Sequence, residues 1–130
     1  MFNVSLVVSD YGRHAVVTLR GELDIADAAD VAAAITAAAT GRIETVVDLA
    51  DLTFIDCSGV AALARARAQI RHAGGVLLLA SPRRHVRRVI SMSGLIDITG
   101  IYVSTEHAAD LARRAGRLPW PAGLGATKSA

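Results

Sequence analysis

Asp56-Cys57-Ser58-Gly59 brings more reactive groups together than any other stretch of this chain. A carboxylate, a thiol and a hydroxyl stand in consecutive positions, followed by a glycine that permits close approach. Before them runs an apolar segment, Val46, Val47 and Leu49, continued by Leu52, Phe54 and Ile55. After them the spacing is helical: Leu63, Ala66, Ile70 and Ala73 share a stripe, with Arg65, Arg67, Gln69 and Arg71 away from it. The quartet therefore sits at a strand-to-helix turn, where small residues cap the helix. A phosphate on Ser58 would meet the positive end of that helix and its free amides, a gain of about 0.3 to 1 kcal/mol at an exposed site. Asp56 and Asp24 would repel it. Phosphorylation would thus alter the local field strongly while leaving the fold intact, which is what a binding switch requires. The plain alternative is that the four residues only turn the chain and cap the helix.

Other chemistries find less support. A nucleophilic Ser58 or Cys57 needs a base, but His14, His72, His85 and His107 fall in separate elements and no Gly-x-Ser-x-Gly elbow surrounds Ser58. The expectation is a protein that is not an enzyme. Cys57 is the sole cysteine and the histidines are far apart, so neither a disulfide nor a metal cluster is expected, and no cofactor is implied. Arg83, Arg84, Arg87 and Arg88 stand at spacings of about one helical turn; they form a solvated outer face, a docking surface or a phosphate site. The stretch Gly123 to Ser129 looks superficially like a phosphate loop, yet no glycine precedes Lys128.

The elements that position the turn can be taken in order. Phe2, Val4, Leu6 and Val8 alternate with more polar residues, a turn follows at Asp10 to Arg13, and Ala15 to Leu19 make a second strand, so the chain opens as a hairpin. Asp24 or Asp27 caps a helix through Ala39 whose only large apolar residues are Val31 and Ile35. Beyond the central strand, turn and helix, Val76 to Ala80 is an interior parallel strand, Ser81-Pro82 opens a third helix ending at Ser93-Gly94, and Ile98 to Val103 form a last strand. A closing helix covers Glu106 to Ala115. The order β-β-α-β-α-β-α-β-α predicts a single α/β domain over residues 1–115, a mixed sheet with helices packed on it and right-handed crossovers in its parallel part. Pro119, Pro121, Gly123 and Gly125 predict a flexible Pro/Gly-rich tail over 116–130.

With 52% hydrophobic residues the chain can bury a core, while a net charge of +2 and scattered aromatics argue against a nucleic-acid platform. The longest uncharged run, Val31 to Gly41, is too short to span a membrane. A soluble cytoplasmic protein is the expectation.

Gly21-Glu22-Leu23-Asp24, Val47-Asp48-Leu49, Phe54-Ile55-Asp56-Cys57-Ser58-Gly59-Val60 and Ser93-Gly94-Leu95, in this order, resemble the STAS domain family, specifically the free-standing bacterial anti-sigma factor antagonists, over about residues 3 to 115. The resemblance implies that Ser58 is phosphorylated by a partner, an anti-sigma factor that is also an ATP-dependent serine kinase. Unphosphorylated antagonist binds that kinase and frees the sigma factor; the modified form lets go until a PP2C-type phosphatase resets it. The resemblance further implies that Asp24 and Asp56 lie near the acceptor and that Asp24, Asp56, Cys57, Ser58 and Gly59 belong to the docking surface. Cys57 stands where many members have serine. A second reading is a STAS scaffold without a phosphorylation cycle, or a module that binds a nucleotide near the same turn.

Overall fold

A computed structural model describes residues 3–97, 101–103 and 127–129. The alternation at the start of the chain produces an antiparallel hairpin of β1 (Val4–Tyr11) and β2 (His14–Leu23), closed at Gly12, whose amide donates to Asp10 Oδ1 at 2.9 Å. α1 (Ala28–Ala38) leads to β3 (Glu44–Ile55), α2 (Cys57–His72) to β4 (Val76–Ala80), and α3 (Arg84–Ser93) to β5 (Tyr102–Val103). β2, β3, β4 and β5 are mutually parallel neighbours, and the sheet order is β5-β4-β3-β2-β1-β6, with β6 at Thr127–Ser129. This is the expected mixed α/β sheet. The closing helix expected over 106–115 lies outside the described residues.

Period-two alternation separates the two faces of the sheet. Val17, Val47, Leu77 and Leu79 share a continuous core with Val31 and Ile35 of α1, Leu63 and Ile70 of α2, and Val86 and Ile90 of α3. Val16, Val46, Leu78 and Ala80 alternate with that set and form a separate cluster with Tyr11 on the opposite face. The thin apolar footprint of α1 is explained by its neighbour: Ala28 and Ala32 pack directly on Ala62 of α2, a contact that only small side chains allow.

β3 breaks the two-residue period, and its register shows why. Thr18 pairs with Asp48 and Arg20 with Asp51, then Gly21 with Leu52 and Glu22 with Phe54, so β3 carries one extra residue at each shift. These bulges keep Leu49, Leu52 and Ile55 on the core face although they are spaced by three. They also turn Phe54 outward, where it is 44% exposed. The apolar run before the Ser58 turn thus lies in one twelve-residue strand.

Asp48 is buried on the face away from the core helices, its Oδ1 accepting from the amide of Ala50 at 3.0 Å. Desolvation raises its carboxyl above the ordinary value of 3.8, the amide bond opposes the rise, nearby Asp51 adds to it and Arg20 subtracts. A pKa raised on folding means that the folded state holds this proton more tightly, so its contribution to stability is greatest in acid and is lost as pH rises past 3.8 through the folded value. Asp48→Asn is therefore expected to remove a fall in stability across that window, measured by urea unfolding against pH.

Within 116–130 the structure describes three residues. Thr127–Ser129 pair antiparallel with Ser5–Val7 of β1, because the outer edge of β1 otherwise presents unpaired backbone groups that any extended segment can satisfy. The rest of 116–130 lies outside the described residues.

Candidate functional site

The end of β3 and the start of α2 form the site. Asp56 is the N-cap, extended at φ −112 and ψ −174, and its Oδ1 accepts from the amide of Gly59 at 3.0 Å. Capping therefore falls to Asp56 alone among the three polar residues that sequence reasoning could not separate. Asp56→Ala is expected to cost about 1 kcal/mol, read from the shift in urea midpoint at constant slope. Cys57 is the first helical residue and is exposed. Ser58 is the second, half-buried, and no hydrogen bond among the described residues engages its hydroxyl. A group on that oxygen meets the positive pole of a sixteen-residue helix.

Gly59 lies where α2 presses on the ends of two strands. A Cβ there would stand 2.7 Å from Ile55 Cγ1 and 2.9 Å from both Leu23 Cγ and the Leu23 carbonyl oxygen. The glycine is thus a packing requirement that lets the helix start directly on the sheet edge.

Asp24 reaches the same edge through the pairing of β2 with β3. Leu23 is in register with Ile55, and the Asp56 amide donates to the Leu23 carbonyl at 3.3 Å. Immediately after Leu23, the Asp24 carboxylate accepts from the Ala26 amide at 3.0 Å and holds the turn into α1. Asp27, the other cap expected for α1, is its N-cap by position, but its side chain makes no capping bond and Oδ2 is buried without a partner.

Two apolar side chains at this edge were not singled out by the sequence. Ile25 is 78% exposed beside Asp24, and Phe54 projects from the last bulge of β3. Phe54 belongs to the apolar run before the turn, and each of the two lies within two residues of one of the aspartates, which was the available signal. The surface around Ser58 therefore combines an open hydroxyl, two carboxylates and exposed apolar groups, a composition suited to protein docking.

No histidine is bonded to Ser58 among the described residues. His85 Nε2 donates to the Thr53 carbonyl at 2.5 Å, His14 lies 3.9 Å from Glu44 at the other end of β3, and His72 ends α2; His107 lies outside the described residues. Among the described residues no group of three side chains is placed to hold a metal, and no helix is long and apolar enough to cross a membrane. Arg83 and Arg87 of the basic cluster are tied into the domain: Arg83 Nε donates to the Ala50 carbonyl at 3.0 Å, and the Arg87 guanidinium lies 4.4 Å above the Tyr102 ring.

The family model for the STAS domain matches residues 5–108. The chain belongs to the STAS domain family. Among solved structures, this STAS domain is similar to an anti-sigma factor antagonist from Mycobacterium paratuberculosis, at 27% identity over 85% of this chain and 94% of that one, with a TM-score of 0.69. It shares its fold with the anti-sigma factor antagonist SpoIIAA in its unphosphorylated form, at 22% identity over 88% of this chain and 99% of that one, TM-score 0.69. The Bacillus cell fate determinant SpoIIAA in the phosphorylated form also shares it, at 24% identity over 81% and 96%, TM-score 0.64. The same fold occurs within the murine anion transporter Slc26a9, where the match covers 72% of this STAS domain and 18% of the transporter, at 17% identity and a TM-score of 0.60. No match is found among curated proteins.

Proposed function

We propose that this STAS domain is an anti-sigma factor antagonist. In its unmodified form it docks through the Ser58 turn on an anti-sigma factor that is also an ATP-dependent serine kinase, and the sigma factor is released. Transfer of the γ-phosphoryl group to Ser58 Oγ, with its proton passing to solvent or a base of the kinase, ends the docking. A PP2C-type phosphatase hydrolyses the phosphoserine and restores the antagonist. Asp24, Asp56 and Cys57 complete the docking surface with Ser58, and Gly59, buried beneath them, lets the helix start there.

The observation that carries this reading is the division of labour at the helix start. Asp56 performs the capping, so the Ser58 hydroxyl is left without a structural task and remains accessible. Support also comes from the antagonist of Mycobacterium paratuberculosis, and from SpoIIAA having been solved both with and without phosphate on this fold. Phosphorylation at such a position suits a switch, since the helix dipole tolerates the anion while the surface presented to a partner changes sign.

The experiment is displacement. Added to a preformed complex of anti-sigma factor and sigma factor, the unmodified protein is expected to release the sigma factor on size-exclusion chromatography, and the Ser58-phosphorylated protein is not. Equal release by both forms, or by neither, would defeat the proposal.

A further inference from the structure

We propose that the outward stripe of α3 formed by Arg84, Arg88 and Met92 is a second docking surface, one that takes an acidic patch on the same partner protein that engages Ser58. This rests on the antagonist reading and adds a contact to it. α3 has no acidic residue in its first turn and no basic residue in its last, so Arg84, Arg87 and Arg88 all fall in its N-terminal half, and Arg84 stands at the end where the helix dipole disfavours cations. Local stability does not account for that placement. Arg83 and Arg87 have internal tasks, but Arg84 and Arg88 make no hydrogen bond or ion pair among the described residues. A spacing of four aligns them with Met92, which is 79% exposed, while Val86 and Ile90 anchor the other side of the helix in the core. Arginine and methionine beside one another, with no ion-paired acid among the described residues, make a surface suited to a protein interface.

The start of α3 lies against the end of β3, ahead of the Ser58 turn. His85 donates to the Thr53 carbonyl and Arg83 to the Ala50 carbonyl, which pins the start of α3 against the last residues of β3, just before the strand delivers Phe54 and the turn. Both α2 and α3 begin at the same edge of the sheet, after β3 and β4 respectively. A partner covering Phe54 and Ser58 therefore has the start of α3 near it, and an anionic surface there would be attracted by two guanidinium groups that have no ion-pair partner among the described residues.

The test uses the full chain carrying Arg84→Glu and Arg88→Glu, titrated calorimetrically with the anti-sigma factor whose binding Ser58 phosphorylation abolishes. The double variant is expected to bind at least about 10-fold more weakly at low salt, with the gap narrowing at high salt. Its thermal midpoint is expected to stay level or rise, since glutamates suit the first turns of a helix, which separates lost docking from lost folding. Wild-type affinity and salt dependence in the variant would overturn the stripe alone. If no phosphorylation-sensitive anti-sigma factor binds the wild-type protein at all, the antagonist reading falls and takes this inference with it.

Discussion

Phosphorylated at Ser58, the protein is expected to bind its anti-sigma factor about 100-fold more weakly than the unmodified form, a difference of about 2.7 kcal/mol. The phosphate adds a charge of about −1.5 to −2 to an edge that already carries Asp24 and Asp56. Docking would have to bury that dianion beside two carboxylates and the exposed side chains of Ile25 and Phe54, and removing an unmatched charge from water costs far more than the required difference. Free protein is affected much less, because the oxygen lies at the start of α2 and gains from its dipole; the change in folding stability is expected to stay within about 1 kcal/mol. Ser58→Ala should bind as the unmodified protein does and take up no phosphate. Ser58→Asp should weaken binding by a smaller factor, since it supplies one charge on a shorter arm. Titration calorimetry on the four forms gives the ranking directly.

Gly21→Ala is expected to be among the most damaging single substitutions, costing on the order of 3 kcal/mol. Gly21 lies at φ +98 inside β2, a conformation that side chains with a Cβ rarely adopt. A Cβ there would stand 2.1 Å from the Asn3 carbonyl oxygen, a backbone atom held in place because it accepts from the Glu22 amide at 2.7 Å. Neither the oxygen nor the strand can move without opening the end of the hairpin. The damage reaches the site through a short path: the Thr53 hydroxyl donates to the Gly21 carbonyl at 3.0 Å, and two residues after Gly21 the Leu23 carbonyl receives the Asp56 amide. A chemical-denaturation curve should show the midpoint falling, and the variant should release sigma factor poorly even where it remains folded. A midpoint within a few tenths of a molar of the wild type would show that the edge is more compliant than its contacts suggest.

The order of elements was legible because the local patterns agree with the final packing. Val4 and Leu6 alternate, Val76 to Ala80 are apolar throughout in a strand paired on both sides, by β3 and β5, and Gly94 at φ 68 ends α3 where a glycine was expected to end it. The Ser58 turn was legible for the same reason, as a polar break between an apolar run and a helical stripe. Less visible were features set by distant parts of the chain. The spacing Leu49, Leu52, Ile55 looks irregular until two bulges against β2 restore it, and those bulges decide that Phe54 faces outward. Nothing in its neighbours Gly41 and Ile43 marks out Arg42. In the fold its Nη1 donates to Asp10 Oδ1 at 2.6 Å and to the carbonyls of Gly12 and His14, while Nε donates to the Ala38 carbonyl at 2.6 Å, joining the end of α1 to the hairpin. The burial of Asp48 and the pairing of Thr127–Ser129 with β1 likewise depend on partners far away in sequence.

Accessibility of one hydroxyl to a docking kinase is the centre of this account, and phosphate mapping reaches it most directly. After incubation with ATP and the cognate anti-sigma factor, mass spectrometry is predicted to find a single added phosphate on the peptide containing Ser58 and none on the Ser58→Ala protein. Phosphate at another residue, or wild-type incorporation into Ser58→Ala, would contradict it.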